Sequence, residues 1–168
     1  RVRQDGSHRI VAPAQALEYI QEDTLLIVVD THSPSFMESE TIYRRCKTVV
    51  VIDHHRKVVG HVENAIVFFH EPYASSASEM VTELIQYLSG NIRLSKLDAE
   101  ALMAGIMLDT KNFTIKTGVR TFEAAAYLRR MGADTVEVRK MFSTSMDVYQ
   151  RKSRIVASAE FYRNCAIA

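Results

Sequence analysis

An α/β domain with a small, mostly parallel sheet flanked by helices is the fold class this chain predicts. Two observations carry it. The apolar runs Leu25-Leu26-Ile27-Val28-Val29 and Val49-Val50-Val51-Ile52 each end on an aspartate, Asp30 and Asp53. That is how parallel strands covered on both faces read when their carboxyl ends open on a polar crevice. The apolar period then changes to a helical one, so the order is strand, helix, strand, strand, then mostly helix.

The elements follow in order. Residues 1–9 are polar and irregular. Ala12 to Ile20 is a short helix after Pro13, with Ala16, Leu17 and Ile20 on one face. Residues 24–30 are expected to be a central strand. Pro34 breaks the pattern, and residues 36–46 return to helix with Phe36, Ile42 and Tyr43 as core contacts. Residues 48–53 make the second strand, Lys57 to Glu63 a loop, and Ile66 to His70 a third strand stopped by Glu71-Pro72. The clearest helix opens at Ser75-Ser76, with Met80, Leu84 and Leu88 in phase and Gly90 as its stop. Ser76 and Glu79 have capping-box spacing. Ser95 and Asp98 repeat that spacing before a helix with Leu102, Met103 and Ile106 as its stripe, closed by Asp109. Helices over Thr121–Arg130, Asp134–Phe142 and Met146–Phe161 follow, the first ended by Met131-Gly132.

A chain of 168 residues suffices for one domain with a sizeable core. Lys and Arg total 21 against 20 Asp and Glu, so no global field favours a polyanion, and duplex nucleic acid is not an expected partner. Cys46 and Cys165 form neither a disulfide framework nor a metal-ligand pattern, which points to a reducing, cytoplasmic setting. No apolar run reaches membrane-spanning length. Glycine-rich phosphate loops and nucleophile elbows are absent from the sequence.

The chemistry-bearing residues lie where core elements end. Asp53-His54-His55-Arg56 follows the second strand, Asp30 the first, and Asp109 a helix. Buried singly, such groups are costly. A shared cation or phosphate would explain them. Carboxylate with imidazole suits Mn²⁺, Fe²⁺, Co²⁺ or Zn²⁺, and one aspartate bridging two cations suits in-line displacement at phosphorus. His55 and Arg56 would hold nonbridging oxygens, as would the helix start at Ser75 and Ser76. His32 reads equally as a support for the ligands or as a surface-loop residue, and Asn112 as a substrate-orienting group or a loop residue. His8, His61 and His70 read as structural or solvated.

These residues resemble the DHH phosphoesterase superfamily, named for the triplet that is Asp53-His54-His55 here. Val28-Val29-Asp30-Thr31-His32, Val51-Ile52-Asp53-His54-His55-Arg56, Glu71-Pro72-Tyr73-Ala74-Ser75-Ser76-Ala77-Ser78-Glu79, Leu108-Asp109-Thr110-Lys111-Asn112-Phe113 and Thr117-Gly118-Val119-Arg120-Thr121-Phe122 are similar, as an ordered set, to cyclic-di-AMP phosphodiesterases of the GdpP type. The resemblance implies an incomplete Rossmann-like DHH domain over residues 1–160, with 161–168 starting a linker or strand towards a substrate-binding domain. It implies two Mn²⁺ ions and hydrolysis of cyclic-di-AMP to linear 5′-pApA. Asp30 would bridge the ions, His54 and Asp109 would ligate one of them, Asp53 would orient the histidines, and His55 and Arg56 would face the scissile phosphate. A cytoplasmic catalytic domain of a membrane-anchored bacterial parent is implied as well. The family's first motif, a His with two following Asp, has no match within residues 1–29. The expectation is therefore a weak, partial Mn²⁺ site with little or no turnover by this chain alone. An uncovered sheet edge would favour a homo-oligomer. Hydrolysis of oligoribonucleotides or linear dinucleotides, and a non-catalytic interaction module, are the alternatives.

Overall fold

Three parallel strands, β1 (Leu25–Val29), β2 (Thr48–Asp53) and β3 (Val67–His70), form the sheet of the computed structural model, in the order β1-β2-β3. The structure describes residues 10–88 and 94–167. The expected polar segment 1–9 with His8, and the Gly90 helix stop, lie outside them. By contact, the chain divides into two units, Arg1–Val138 and Arg139–Ala168.

In the first unit β2 holds the centre of the sheet, and its run of β-branched side chains is buried accordingly: Val49, Val51, Ile52 and Asp53 are all buried. The sequence reading of β1 as the central strand is corrected here. Among the described residues β1 is an edge. Leu25, Ile27 and Val29 are each about half exposed, and only Val28 is buried. The runs Leu25–Val29 and 49–52 are both apolar, but coverage requires a neighbour on each side, and among the described residues only β2 has two.

Helix α1 (Pro13–Tyr19) precedes β1, and α2 (Glu40–Arg45) links β1 to β2. The single helix expected over 36–46 is split. Pro34–Phe36 is a 3₁₀ turn, and Ser39 restarts the helix by accepting the N–H of Ile42 at 3.3 Å. Phe36 is consequently 77% exposed rather than a core contact, whereas Tyr43 packs against Val28, Val49, Val51 and Val62.

Helices α3 (Ala77–Tyr87), α4 (Lys96–Asp109) and α5 (Val119–Arg130) follow β3. Ser95 and Asp98 close a reciprocal capping box at α4. At α3 only half the box forms: Ser76 Oγ accepts the Glu79 N–H at 3.0 Å, while the Glu79 carboxylate turns to Ser75 Oγ at 2.5 Å. Met80 packs α3 on Ile52 and Ala74 beneath the sheet's carboxyl end. Met103 and Ile106 of α4 pack with Ala124 and Leu128 of α5. Gly105 lets α3 and α4 touch, since a Cβ there would lie 2.0 Å from Ser78 Oγ. Met131 caps α5 and Gly132 takes φ +100°, as the helix stop in the sequence predicts. Helix α6 (Thr135–Met141) begins in this unit.

The second unit holds α7 (Met146–Ala157) and an antiparallel pair, β4 (Glu160–Tyr162) and β5 (Cys165–Ile167). The helix expected to run to Phe161 stops at Ala157, because the chain turns into this hairpin. None of the described helices is long and apolar enough to cross a membrane.

Candidate metal centre

The carboxyl ends of β1 and β2 and the C-terminus of α4 bring Asp30, His54 and Asp109 together. His54 Nε2 lies 3.3 Å from Asp30 Oδ1 and 3.6 Å from Asp109 Oδ2. Nitrogen and oxygen donors about 2.0–2.2 Å from a shared first-row cation, at tetrahedral or octahedral angles, are about 3.0–3.5 Å apart. The Asp30 separation falls within that spacing and the Asp109 separation just beyond it. Asp30, His54 and His55 also each offer one ligand atom within 4.8 Å of the others, forming a partial three-residue metal cluster.

Tautomers follow from what each ring faces. The Ala74 carbonyl can only accept, so His54 donates Nδ1–H to it, at 3.3 Å. That leaves the Nε2 lone pair directed at two carboxylates. His54 Nε2 thus faces a carboxylate oxygen on each of two residues, and a positive charge beside it would resolve the conflict. Burial raises the Asp109 carboxyl above its ordinary range and repulsion from Asp30 adds to this, against the opposing pull of His54, His55 and Lys116. Asp30 reaches the cluster from a left-handed backbone, φ +63°, a conformation aspartate tolerates better than most residues.

Asp53 is fully buried and spent on its neighbours. Its Oδ1 accepts the N–H of His54 at 2.8 Å, that of His55 at 3.2 Å, and His55 Nδ1–H at 2.7 Å. Its Oδ2 accepts Nδ1–H of the buried His32. Burial alone would raise this carboxyl, but the hydrogen bonds from His32 and His55 outweigh it and hold the group below the usual carboxylate range. Asp53 therefore holds the His55 ring through Nδ1 and the His54 backbone through its N–H.

His55 is more than half exposed, and Arg56 is exposed beside it. Both border a groove of about 1640 Å³ along β1, together with Asp30 and Phe36. The groove is larger than a small-molecule cleft, about 300–1,000 Å³, and among the described residues it runs along the edge strand β1. Ser75 and Ser76 are buried and their hydroxyls serve the first turn of α3. Asn112 lies in a run of left-handed residues, Lys111, Asn112 and Phe113, just beyond Asp109.

Sequence reasoning missed several supports. His70, treated as structural or solvated, donates Nε2–H to the His55 carbonyl at 2.5 Å. Ala74 acts through its backbone, which no side-chain pattern can reveal. Lys116, seven positions after Asp109, acts on that carboxylate after a loop reversal. His32 had a signal, two positions after Asp30, but only its burial distinguishes support from surface.

The DHH family N-terminal domain model matches residues 4–106. The chain belongs to the DHH family. Its DHH domain is 52% identical over 151 residues to a cyclic-di-AMP phosphodiesterase GdpP of Geobacillus thermodenitrificans, covering 90% of this chain and 23% of that protein. It is 44% identical over 155 residues to a cyclic-di-AMP phosphodiesterase PdeA of Listeria monocytogenes, covering 92% of this chain and 24% of that one. The chain thus spans about a quarter of the length of these curated relatives. Among solved structures, an exopolyphosphatase-related protein from Bacteroides fragilis superposes with a TM-score of 0.78 at 22% identity, over 89% of this chain and 45% of that one, which shows a shared fold.

Proposed function

We propose that this chain is part of the catalytic domain of a Mn²⁺-dependent phosphodiesterase whose intact form hydrolyses cyclic-di-AMP to linear 5′-pApA. The observation that carries this reading is His54 Nε2 lying 3.3 Å from Asp30 Oδ1 and 3.6 Å from Asp109 Oδ2, beside the Asp30, His54 and His55 cluster whose ligand atoms lie within 4.8 Å of one another. The identity to GdpP and PdeA phosphodiesterases over nine-tenths of the chain supports the substrate class.

Asp30, His54 and Asp109 would hold the cation, with Asp30, the most exposed of the three, free to bridge to a second. When bound, Mn²⁺ supplies Lewis acidity and an activated water for attack at phosphorus. The remaining work belongs to the chain itself. Asp53 accepts the His55 Nδ1–H, so a second proton on Nε2 would make His55 an imidazolium able to donate, beside the exposed Arg56, to nonbridging phosphate oxygens. Ser75 and Ser76 serve the site through the segment they anchor. Two ions need more donors than these, so this chain by itself is expected to bind Mn²⁺ weakly and turn over little. The domain would work on the cytoplasmic side of a membrane-anchored bacterial parent.

The test pairs a Mn²⁺ titration of this chain with product analysis on the full-length parent supplied with cyclic-di-AMP. Weak binding that Asp30→Asn and His54→Ala abolish, and linear 5′-pApA from the parent, are the expected results. Equal Mn²⁺ binding by all three forms of the chain would remove the site. Hydrolysis only of linear dinucleotides by the parent would move the substrate assignment to the oligoribonucleotide class.

A further inference from the structure

The proton on His54 Nδ1 is held by a backbone carbonyl, so whatever places that carbonyl governs which nitrogen His54 turns to the cation. Ala74 belongs to the segment 71–76 between β3 and α3. Its base is secured by Glu71 N–H donating to the Asp53 carbonyl at 3.0 Å, and its turn by Ala74 N–H donating to the Glu71 carbonyl at 3.0 Å. Its far end is secured by the Ser75–Glu79 and Ser76–Glu79 bonds. The Glu71 side chain is met by a residue from a distant part of the chain. Arg120, in the first turn of α5, places Nη1 3.9 Å from Glu71 Oε2. The same guanidinium donates Nε–H and Nη2–H to the two carboxylate oxygens of Glu83 on α3, both at 2.7 Å. The fork thus ties the 71–76 segment, α3 and α5 together.

We propose that Arg120 is a positioning residue for His54: by clamping Glu71 to Glu83 it keeps the Ala74 carbonyl where it holds the imidazole proton on Nδ1 and leaves Nε2 to the cation. The planar fork satisfies both Glu83 oxygens at once, which a lysine ammonium does not do. Removing the guanidinium leaves the Glu71, Glu79 and Glu83 carboxylates without the cation they surround. Their repulsion would act directly on the segment that carries Ala74. The importance of this clamp rests on the metal-centre reading above, but its geometry does not.

The test is a long-range ¹H–¹⁵N spectrum of the whole metal-free chain at about pH 8, where an ordinary imidazole is neutral. The ¹⁵N shift of His54 Nδ1 reports its proton whatever the state of Nε2. Wild type is expected to show a protonated Nδ1. Arg120→Ala and Glu71→Gln are expected to move that shift towards a mixture of tautomers, and Arg120→Lys to restore it in part. Mn²⁺ affinity of Arg120→Ala should fall about tenfold, the low end for groups that orient a metal ligand. A variant that only melts earlier, with the His54 shift unchanged in its folded state, would overturn the proposal. Should Arg120→Ala fail to fold, an unchanged shift in both Glu71→Gln and Arg120→Lys overturns it equally. Absence of Mn²⁺ binding by wild type would refute the metal reading while the tautomer comparison still decides the role of Arg120.

Discussion

His32 and Asp53 form a closed pair in the interior: His32 donates Nδ1–H to Asp53 Oδ2, and its own Nε2 accepts the Val58 N–H at 3.1 Å. Both ring nitrogens are occupied, so the ring is neutral with its proton on Nδ1. The carboxylate that bonds the His55 ring and the His54 backbone N–H is itself fixed from behind. Asp53→Ala would orphan the His32 and His55 donors. A buried donor left without its acceptor costs about 1–3 kcal/mol, and urea unfolding of the variant should show a loss of that order.

The same carboxylate sets an acid limit. Its folded-state affinity for protons is depressed, so its contribution to stability is fully present above the unfolded value, about 3.9. It is lost as pH falls through the lower folded value. Urea midpoints measured downward from neutral pH should therefore drop below about pH 4 more steeply in wild type than in Asp53→Asn. Parallel curves would show that Asp53 is not the group responsible.

Asp109 moves in the opposite direction. Burial and the neighbouring Asp30 raise its carboxyl, and a protonated carboxyl cannot ligate. Part of the rise of Mn²⁺ affinity with pH is accordingly expected to lie above the ordinary aspartate value, about 3.9. Asp109→Asn should bind more weakly and lose that part, while the rise that comes from freeing an imidazole ligand of its proton, at about 6.5 for an ordinary histidine, remains. Calorimetric titrations at several pH values measure both.

Asp30→Asn separates binding from stability. Asparagine tolerates the left-handed backbone at this position, so the substitution removes charge without adding strain. Mn²⁺ affinity should drop at least about tenfold. Metal-free stability should rise, on the order of 0.5 kcal/mol for relief of a partly exposed like-charge contact. A fall in both quantities would show that Asp30 supports the fold rather than the site.

Gly105 of α4 faces Ser78 of α3 with no room for a side chain. Gly105→Ala would drive its methyl into Ser78, 2.0 Å from Oγ and 2.9 Å from Cβ. The helices must then part, at about 1–3 kcal/mol for overpacking. Adding Ser78→Gly should recover part of the loss, a non-additivity that a thermal-denaturation cycle would reveal.

The sequence alone determined the class of fold and the places where chemistry collects. Apolar runs ending in aspartate gave the parallel strands, serine with an acid three positions later gave the α3 and α4 starts, and Met131-Gly132 gave the end of α5. All are local signals, written within a few neighbouring residues. Tertiary structure decided the rest. Leu25–Val29 and Val49–Ile52 read alike, yet one is an edge and the other a centre, because coverage depends on partners elsewhere in the chain. Phe36 reads as core and stands exposed for the same reason. The approach of Asp30, His54 and Asp109, the choice of Ala74 as the acceptor that sets the His54 proton, and the reach of Arg120 to Glu71 are distances between residues far apart in order. Residue type states what a group can do; only the folded chain states what it faces.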